Sequence, residues 1–281
     1  MEIKPASERD IFPENNSSTD LIPQIITKDA DEFIFVAKYV QKLGYNELNW
    51  NLGCPYPMVA KRGMGSGLLS VPEKINEILN RVFAETDIKV SVKLRLGYES
   101  PHEIFNVLPV LERYRLTNIA VHPRIGKQLY SGEVDLNTFE KCLAMSSHKI
   151  FYNGDITSVG KFREMKERFP AINHWMIGRG LIADPFLPSM IKADNPVYPE
   201  NRYEVFSSFH DDLFSSYEEA LSGQKHLLMK MYSFWEYFIQ SFPDSRKGLK
   251  KIKKAQNLSA YREVVKQIIQ NEALNSGLRF P

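Results

Sequence analysis

Residues 49–69 read NWNLGCPYPMVAKRGMGSGLL, and this stretch holds one of the two cysteines of the chain. A β-rich run ends at Asn51, and Gly53-Cys54-Pro55 follows directly before a long loop with several glycines. Because glycine and proline interrupt regular structure, Cys54 is predicted to lie where a strand ends. A cysteine kept for packing would be expected inside an apolar run instead, so the position of Cys54 indicates chemistry.

On both sides of this stretch, β-rich runs alternate with amphipathic helical patterns between about residues 20 and 192. The predicted strands cover residues 21–26, 47–51, 88–94, 118–122, 149–153 and 174–178. Such alternation, at intervals of about thirty residues, favours parallel βα units. Six βα units are enough to form an open doubly wound sheet, whereas a (βα)₈ barrel requires about two more.

The pattern changes after residue 192, where the Pro-containing stretch ADNPVYPENR leads into purely helical patterns. We therefore predict two domains, a βα domain over residues 1–192 and a small all-helical domain over residues 193–281.

The composition excludes several classes of protein. Two cysteines, Cys54 and Cys142, provide no disulfide framework, and neither has the spacing of a metal site, so no metal is expected. No apolar run approaches the roughly 18 residues that a membrane span requires. The net charge of +2 does not by itself indicate a nucleic-acid partner. These features predict a cytoplasmic protein in a reducing compartment.

Polar residues gather at the carboxyl ends of the predicted strands, where parallel βα architectures bind their ligands. In chain order they are Gln24, Asn51, Lys93, Arg95, His122, Arg124, Asn153, Gly154, Asp155, Gly178 and Arg179. Each has a plain structural explanation alone, since a lysine often only ends a strand and Asn-Gly-Asp is a common turn. Together, with glycines after the last two strands, they favour a phosphate-bearing cofactor whose reactive ring lies over the strand ends.

Two other features have weaker functional readings. The GMGSG segment at residues 63–67 does not directly follow a strand and lacks the Gly-x-Gly-x-x-Gly spacing of a dinucleotide loop. Cys142 lies on a helical face beside Leu143 and is expected to pack in the core.

Five motifs carry a resemblance to a known family. They are NWNLGCPYPMVAKRGMGSGLL, VSVKLRLG, VHPRIGKQLYSGEVD, YNGDI and MIGRGLIADPFL, in the order and spacing of the dihydrouridine synthases. The resemblance covers roughly residues 20–190, and the tail with SRKGLKKIKK looks like the C-terminal domain of that family.

The resemblance implies an enzyme that uses flavin mononucleotide (FMN) and NADPH to reduce the 5,6 double bond of uridine in tRNA, with ribosomal RNA as the alternative substrate. No obligate protein partner is implied. Cys54 would be the general acid that protonates uracil C5. Gln24, Lys93 and His122 would face the flavin ring, and Asn153, Gly154, Asp155, Gly178 and Arg179 would hold the ribityl chain and phosphate. Asn51, Arg95 and Arg124 would contact the uracil or nearby phosphates.

The helical domain would bind RNA phosphates through a basic cluster in which Arg246, Lys247 and Lys250 stand first. A solvated lysine-rich helix face is the plain alternative for this cluster.

The sequence departs from the family at its beginning, because the two strands that open the family's barrel have no counterpart here. We therefore expect a (βα)₈ barrel type that is incomplete at the N-terminus, with about six βα units and a helical domain after them. Two alternative functions stay open, another FMN barrel oxidoreductase of the dihydroorotate dehydrogenase type and a non-catalytic RNA-binding fragment.

Overall fold

The computed structural model describes residues 2–242 and 245–275, without the side chains of residues 245, 246 and 272–275. Five strands form one parallel sheet: β1 (Gln24–Ile25), β2 (Glu47–Leu52), β3 (Lys89–Gly97), β4 (Ile119–Ile125) and β5 (Ile150–Tyr152). Five of the six predicted strands are therefore confirmed, although β1 is shorter than the predicted 21–26.

The strands lie side by side in chain order, β1-β2-β3-β4-β5. Neighbouring strands of a (βα)₈ barrel follow one another in this way, whereas a doubly wound sheet reverses its order at a switch point. Within the described residues the sheet has no such reversal. The architecture is therefore α/β of the barrel type.

The sixth predicted strand, 174–178, is reduced to a single bridge. Trp175 pairs with Tyr152 in the parallel sense, and the Met176 N–H donates to the Tyr152 carbonyl over 2.8 Å. The segment thus continues the parallel order beyond β5 without becoming a strand of its own.

Six α-helices lie in the described residues of the first unit. They are α1 (Pro5–Ile11), α2 (Ala30–Lys42), α3 (Pro57–Ala60), α4 (Pro72–Glu85), α5 (Ile104–Leu111) and α6 (Leu136–Met145). α2 packs against α4, α4 against α5, and α5 against α6. Asp29 caps the start of α2, because its carboxylate accepts from the Glu32 N–H over 2.9 Å.

Contacts between Cα atoms divide the chain into two compact units. The first runs to Gly154 and includes Phe169–Met176, whereas the second comprises Asp155–Arg168 and the chain from Ile177 onward. The predicted domain boundary at residue 192 lies inside the second unit, so it stays a prediction about separate domains.

The second unit is helical in its described residues, and its part from residue 193 onward contains the helices that the sequence pattern predicted there. Its helices are α7 (Val159–Arg168), α8 (Arg179–Ala183), α9 (Leu187–Lys192), α10 (Arg202–Ala220), α11 (Gln224–Phe238), α12 (Ser245–Lys254) and α13 (Leu258–Asn275). An aromatic core packs α10, α11, α12 and α13 together, and in it the Tyr261 hydroxyl accepts from Trp235 and is hydrogen-bonded to His210. No helix in the described parts of either unit has the length and apolar character to cross a bilayer.

Candidate active site at the carboxyl ends of the strands

One face of the sheet carries polar side chains from β1 to β4. The register aligns Gln24 with Asn49, Asn51 with Lys93, and Arg95 with His122. Since side chains alternate between the two faces of a strand, these residues and Ser91 share one face. The opposite face carries apolar residues, of which Leu48, Trp50, Val92, Leu94 and Val121 are fully buried. Five predicted site residues from β1 to β4 therefore meet on the polar face.

Cys54 lies just beyond β2 in a tightly held loop. The Asn51 side-chain oxygen accepts from the Gly53 and Cys54 N–H groups over 2.9 and 3.0 Å. The Ser66 N–H and hydroxyl both donate to the Cys54 carbonyl, over 3.0 and 2.9 Å. Side-chain and backbone contacts on both sides thus fix the backbone of a partly exposed thiol.

The glycine-rich segment explains how that loop closes. Gly65 has a φ of +55°, and a Cβ there would lie 2.8 Å from the Cys54 carbonyl oxygen. A Cβ at Gly67 would lie 2.0 Å from the Ala60 carbonyl oxygen. These glycines allow the loop to fold back onto Cys54, so the structure gives GMGSG a packing role.

Lys93 is the perturbed titratable group of this face. Burial is the main reason that the pKa of its ammonium falls from 10.5 to about 8, and the nearby Arg95 guanidinium lowers it further. A charged Cys54 acts in the opposite direction, which shows that the two side chains interact electrostatically. An amine near its pKa at neutral pH, next to a thiol, is the kind of pair found at functional sites.

Arg95 and Arg124 are buried and bound by carbonyl groups. Arg95 donates from Nε to the Gly53 carbonyl over 3.0 Å and from a terminal nitrogen to the Ile125 carbonyl over 2.9 Å. Its guanidinium carbon also lies 5.2 Å from the centre of the Tyr130 ring. Arg95 therefore connects the Cys54 loop with the end of β4. Its predicted contact with substrate stays a prediction.

Arg124 fixes the tautomer of His122. A terminal nitrogen of Arg124 lies 3.1 Å from His122 Nε2, and the other donates to the Gly132 carbonyl over 2.6 Å. Because a guanidinium can only donate, His122 Nε2 accepts and the ring carries its proton on Nδ1. The imidazole can therefore offer an N–H donor on its other side.

Asn153 and Gly154 follow β5 in the same unit. Asn153 Nδ2 donates to the Met176 carbonyl over 2.8 Å, which ties the end of β5 to the bridging segment. A Cβ at Gly154 would lie 2.9 Å from the Tyr152 hydroxyl oxygen. A larger residue at this position would therefore require the Tyr152 side chain to shift.

The remaining predicted cofactor residues belong to the second unit. An Arg179 terminal nitrogen donates to the Asp155 carboxylate over 2.8 Å, and Asp155 has a φ of +42°. Gly178 precedes α8, and a Cβ there would meet nothing within 4 Å. The predicted phosphate-binding role of these three residues is not tested by this geometry.

The basic cluster forms α12. Lys247 and Lys250 are exposed, whereas Gly248 and Ile252 are buried on the other side of the helix. The Arg246 side chain lies outside the described residues. The helix therefore presents a lysine face to solvent, and its predicted role in RNA binding stays a prediction.

Sequence reasoning missed Asn49 and Ser91, which are both buried on the polar face. The signal was available, because Glu47, Asn49 and Asn51 alternate with apolar residues along β2. An alternation of period two marks one face of a strand. Asn49, however, lies inside β2 and not at its carboxyl end.

Several known proteins are similar to this chain in sequence. A family model described as dihydrouridine synthase matches residues 3–274. The tRNA-dihydrouridine synthase B of Pseudomonas putida is 32% identical over 165 residues, which cover 58% of this chain and 49% of the relative. That of Shewanella oneidensis is 26% identical over 73% of this chain and 66% of the relative. A probable tRNA-dihydrouridine synthase of Staphylococcus aureus is 26% identical over 82% of this chain and 70% of the relative.

The chain spans about half the length of the first curated relatives that it matches. Among solved structures, morphinone reductase aligns over 60% of this chain and 50% of its own, at 13% identity and a TM-score of 0.45. An old yellow enzyme homologue from Zymomonas mobilis aligns over 61% and 53%, at 14% identity and a TM-score of 0.45. TM-scores below 0.5 leave these two likenesses without weight for function.

Proposed function

This chain belongs to the dihydrouridine synthase family, and we propose that it serves the reduction of uridine to 5,6-dihydrouridine in tRNA. The family model matches residues 3–274, which is most of the chain. The observation that carries the proposal is the partly exposed Cys54 thiol, held beside Lys93 at the edge of a polar sheet face. The relatives described as tRNA-dihydrouridine synthases support tRNA as the class of substrate.

The polar face fits FMN in the chemistry of its groups. A flavin ring is bound and tuned by hydrogen-bond donors and positive charge along its polar edge. The Gln24 amide, the Lys93 ammonium and the His122 Nδ1–H are donors of these kinds, and the residues that carry them lie on the same face of the sheet in β1, β3 and β4. When bound, FMN would supply the hydride that saturates C6 of uracil. NADPH is the reductant that we propose for the flavin.

Binding of the rest of the cofactor is part of the same proposal. Asn153 and Gly154, which follow β5 in the first unit, would hold part of the ribityl chain or phosphate. The cofactor-binding roles of Asp155, Gly178 and Arg179 stay predictions from the family resemblance. Backbone N–H groups next to glycines and an arginine side chain are common phosphate ligands.

Cys54 is the proton donor in this proposal. Its Sγ–H would transfer a proton to uracil C5 and leave a thiolate. Lys93 would then stabilise that thiolate, since the two groups interact electrostatically. Asn51 fixes the backbone of Cys54 and would contact the uracil, with Arg95 and Arg124 near it. A positioned general acid of this kind contributes about 10²- to 10⁴-fold to a rate.

The target base must leave the RNA stack before it can reach such a site, at a cost of a few kcal/mol. Contacts with the phosphate backbone can offset that cost, and they would make binding strongly dependent on salt. The exposed lysines of α12, together with Arg246, are the groups that we propose for these contacts.

The proposal is tested by measuring dihydrouridine in tRNA after incubation with the purified chain, FMN and NADPH. The substrate is total tRNA from a strain that lacks its own dihydrouridine synthases, and mass spectrometry of nucleosides gives the yield. Dihydrouridine should form with the wild-type chain and fall about 10²- to 10⁴-fold with Cys54→Ala. Cys142→Ala is the matched control, because Cys142 is buried in the core and should keep the activity.

Two results would contradict the proposal. In one, the flavin-loaded wild-type chain leaves uridine unchanged in every RNA offered. In the other, it reduces free pyrimidines in the absence of RNA, which would favour an oxidoreductase of small molecules instead.

A further inference from the structure

Four side chains form a continuous hydrogen-bonded chain across the polar face. Asn51 Nδ2 donates to Gln24 Oε1 over 2.7 Å, and Gln24 Nε2 donates to Asn49 Oδ1 over 2.7 Å. Asn49 Nδ2 then donates to the Ser91 hydroxyl oxygen over 2.9 Å. The chain therefore runs from the Cys54 loop through β1 and β2 to the middle of β3.

The direction of every bond in this chain is fixed at one end. The Asn51 side-chain oxygen accepts from two backbone N–H groups, those of Gly53 and Cys54, and a backbone N–H can only donate. The Asn51 NH₂ group must then face Gln24. Each following amide is oriented in turn, so that the last NH₂ group, that of Asn49, faces the acceptor on Ser91.

Ser91, at the other end of the hydrogen-bonded chain, also constrains the orientation of the amides. If Ser91 offered no acceptor, the Asn49 NH₂ group would be left unpaired in a buried position, where Asn49 is 8% and Ser91 is 1% exposed. If the Asn49 amide flipped, its NH₂ group would face the NH₂ group of Gln24. If the Gln24 amide then flipped as well, its NH₂ group would face that of Asn51. Turning Asn51 would finally remove the acceptor from the Cys54 N–H. Loss of one acceptor in β3 is thus transmitted to Cys54.

We infer that Asn49 and Ser91 are positioning residues that hold Asn51, and through it the Cys54 backbone, in the orientation the reaction needs. The inference rests on the proposed function of Cys54. The interior positions of barrel strands are usually filled by bulky apolar side chains. Asn49 and Ser91 occupy two such positions with polar groups. Their side-chain hydrogen bonds within the described residues run to each other and to Gln24.

The test compares two nearly isosteric variants, Ser91→Thr and Ser91→Val. Threonine keeps a hydroxyl for Asn49, whereas valine replaces that hydroxyl by a methyl group. Thr117→Val is the control elsewhere in the sheet, because the Thr117 hydroxyl donates to Glu47 Oε1 over 2.9 Å at the opposite ends of these strands.

The first readout is the rate at which iodoacetamide alkylates Cys54, followed by mass spectrometry without flavin or RNA. Cys142 is the internal control for folding, because it is fully buried and reacts only if the core opens. Ser91→Val should raise the rate at Cys54 about fivefold over Ser91→Thr, which corresponds to the loss of one net hydrogen bond. Cys142 should stay unlabelled in both variants, and Thr117→Val should match the wild type.

A rate ratio of Ser91→Val to Ser91→Thr of one or below would overturn the inference. The second readout is dihydrouridine formation, in which kcat should fall for Ser91→Val and recover for Ser91→Thr while KM for tRNA is kept. If the wild-type chain forms no dihydrouridine, the proposed function fails, but the alkylation ratio still decides whether Ser91 positions Cys54.

Discussion

The two faces of the sheet are made by the same five strands but contribute to the protein in opposite ways. One face carries side chains such as Trp50, Val92 and Leu94, which are fully buried. The other carries amides, hydroxyls and charged groups that are also largely buried, and it includes Lys93 with a pKa lowered to about 8. Burying apolar surface stabilises a fold, whereas burying charge costs free energy unless it is compensated. The comparison indicates that the polar face is kept for chemistry.

The largest effect should come from the residue that performs the proposed chemistry. Cys54→Ala should lower dihydrouridine formation about 10²- to 10⁴-fold. It should change the free energy of unfolding by less than about 1 kcal/mol, because Cys54 is partly exposed. Nucleoside analysis and urea denaturation of the same preparation measure the two quantities. Normal activity of this variant would show that the polar face takes no part in the reaction.

A change on the apolar face should do the reverse. Leu94 follows Lys93 directly in β3, points to the opposite face and is fully buried. Leu94→Ala should lower the free energy of unfolding by about 2–5 kcal/mol, since it removes buried methyl groups and leaves a cavity. Activity per folded molecule should stay near that of the wild type. If the folded molecules of Leu94→Ala were themselves less active than the wild type, the separation of the two faces would be contradicted.

Lys93→Met tests the cost of the polar face directly. The folded-state pKa of about 8 lies below the ordinary value of 10.5, so the folded state binds fewer protons than the unfolded state between these pH values. Stability of the wild type should therefore rise from pH 8 to 10.5, and the cost of the buried charge should be fully present below pH 8. At pH 7 the variant should be the more stable protein, by on the order of 3 kcal/mol.

Urea denaturation of both proteins at pH 7 and at pH 10 measures this difference. The difference in the free energy of unfolding between the two proteins should be smaller at pH 10, because the wild-type amine is then mostly neutral in the folded state. A difference that is equal at both pH values would show that Lys93 carries no buried charge in the folded protein.

The smallest effect should come from a helix cap away from the polar face. Asp29→Ala removes the acceptor for the Glu32 N–H at the start of α2 and should cost about 1 kcal/mol. Thermal unfolding measures the loss, and the alkylation rate of Cys54 should not change. A faster rate would show that the helix layer also holds the Cys54 loop.

Local patterns allowed much of the fold to be predicted from the sequence. The strand predicted at 47–51 is observed at Glu47–Leu52, because alternation along a strand is a local signal. The segment 174–178 was predicted as a strand but makes only one bridge, at Trp175. Pairing over long distances along the chain depends on packing that a local pattern does not contain.

The candidate site was predicted in part for the same reason. Residues at strand ends, such as Asn51 and Lys93, were recognisable by type and position, and the register brings them side by side. The roles of Asn49 and Ser91 depend on hydrogen bonds between three different strands, and the sequence alone does not reveal these bonds. Gly65 is a similar case, since its need for glycine arises from close contact with Cys54.

If the polar face binds a flavin next to Cys54, titration of the purified chain with FMN should detect the complex. Flavin fluorescence should be quenched in a saturable way by the wild-type chain and by Leu94→Ala at a temperature where it is folded. Lys93→Met should bind at least about tenfold more weakly, a loss of about 1.4 kcal/mol. A folded wild-type chain that takes up no FMN, or a Lys93→Met chain that binds it equally well, would contradict flavin binding at the polar face.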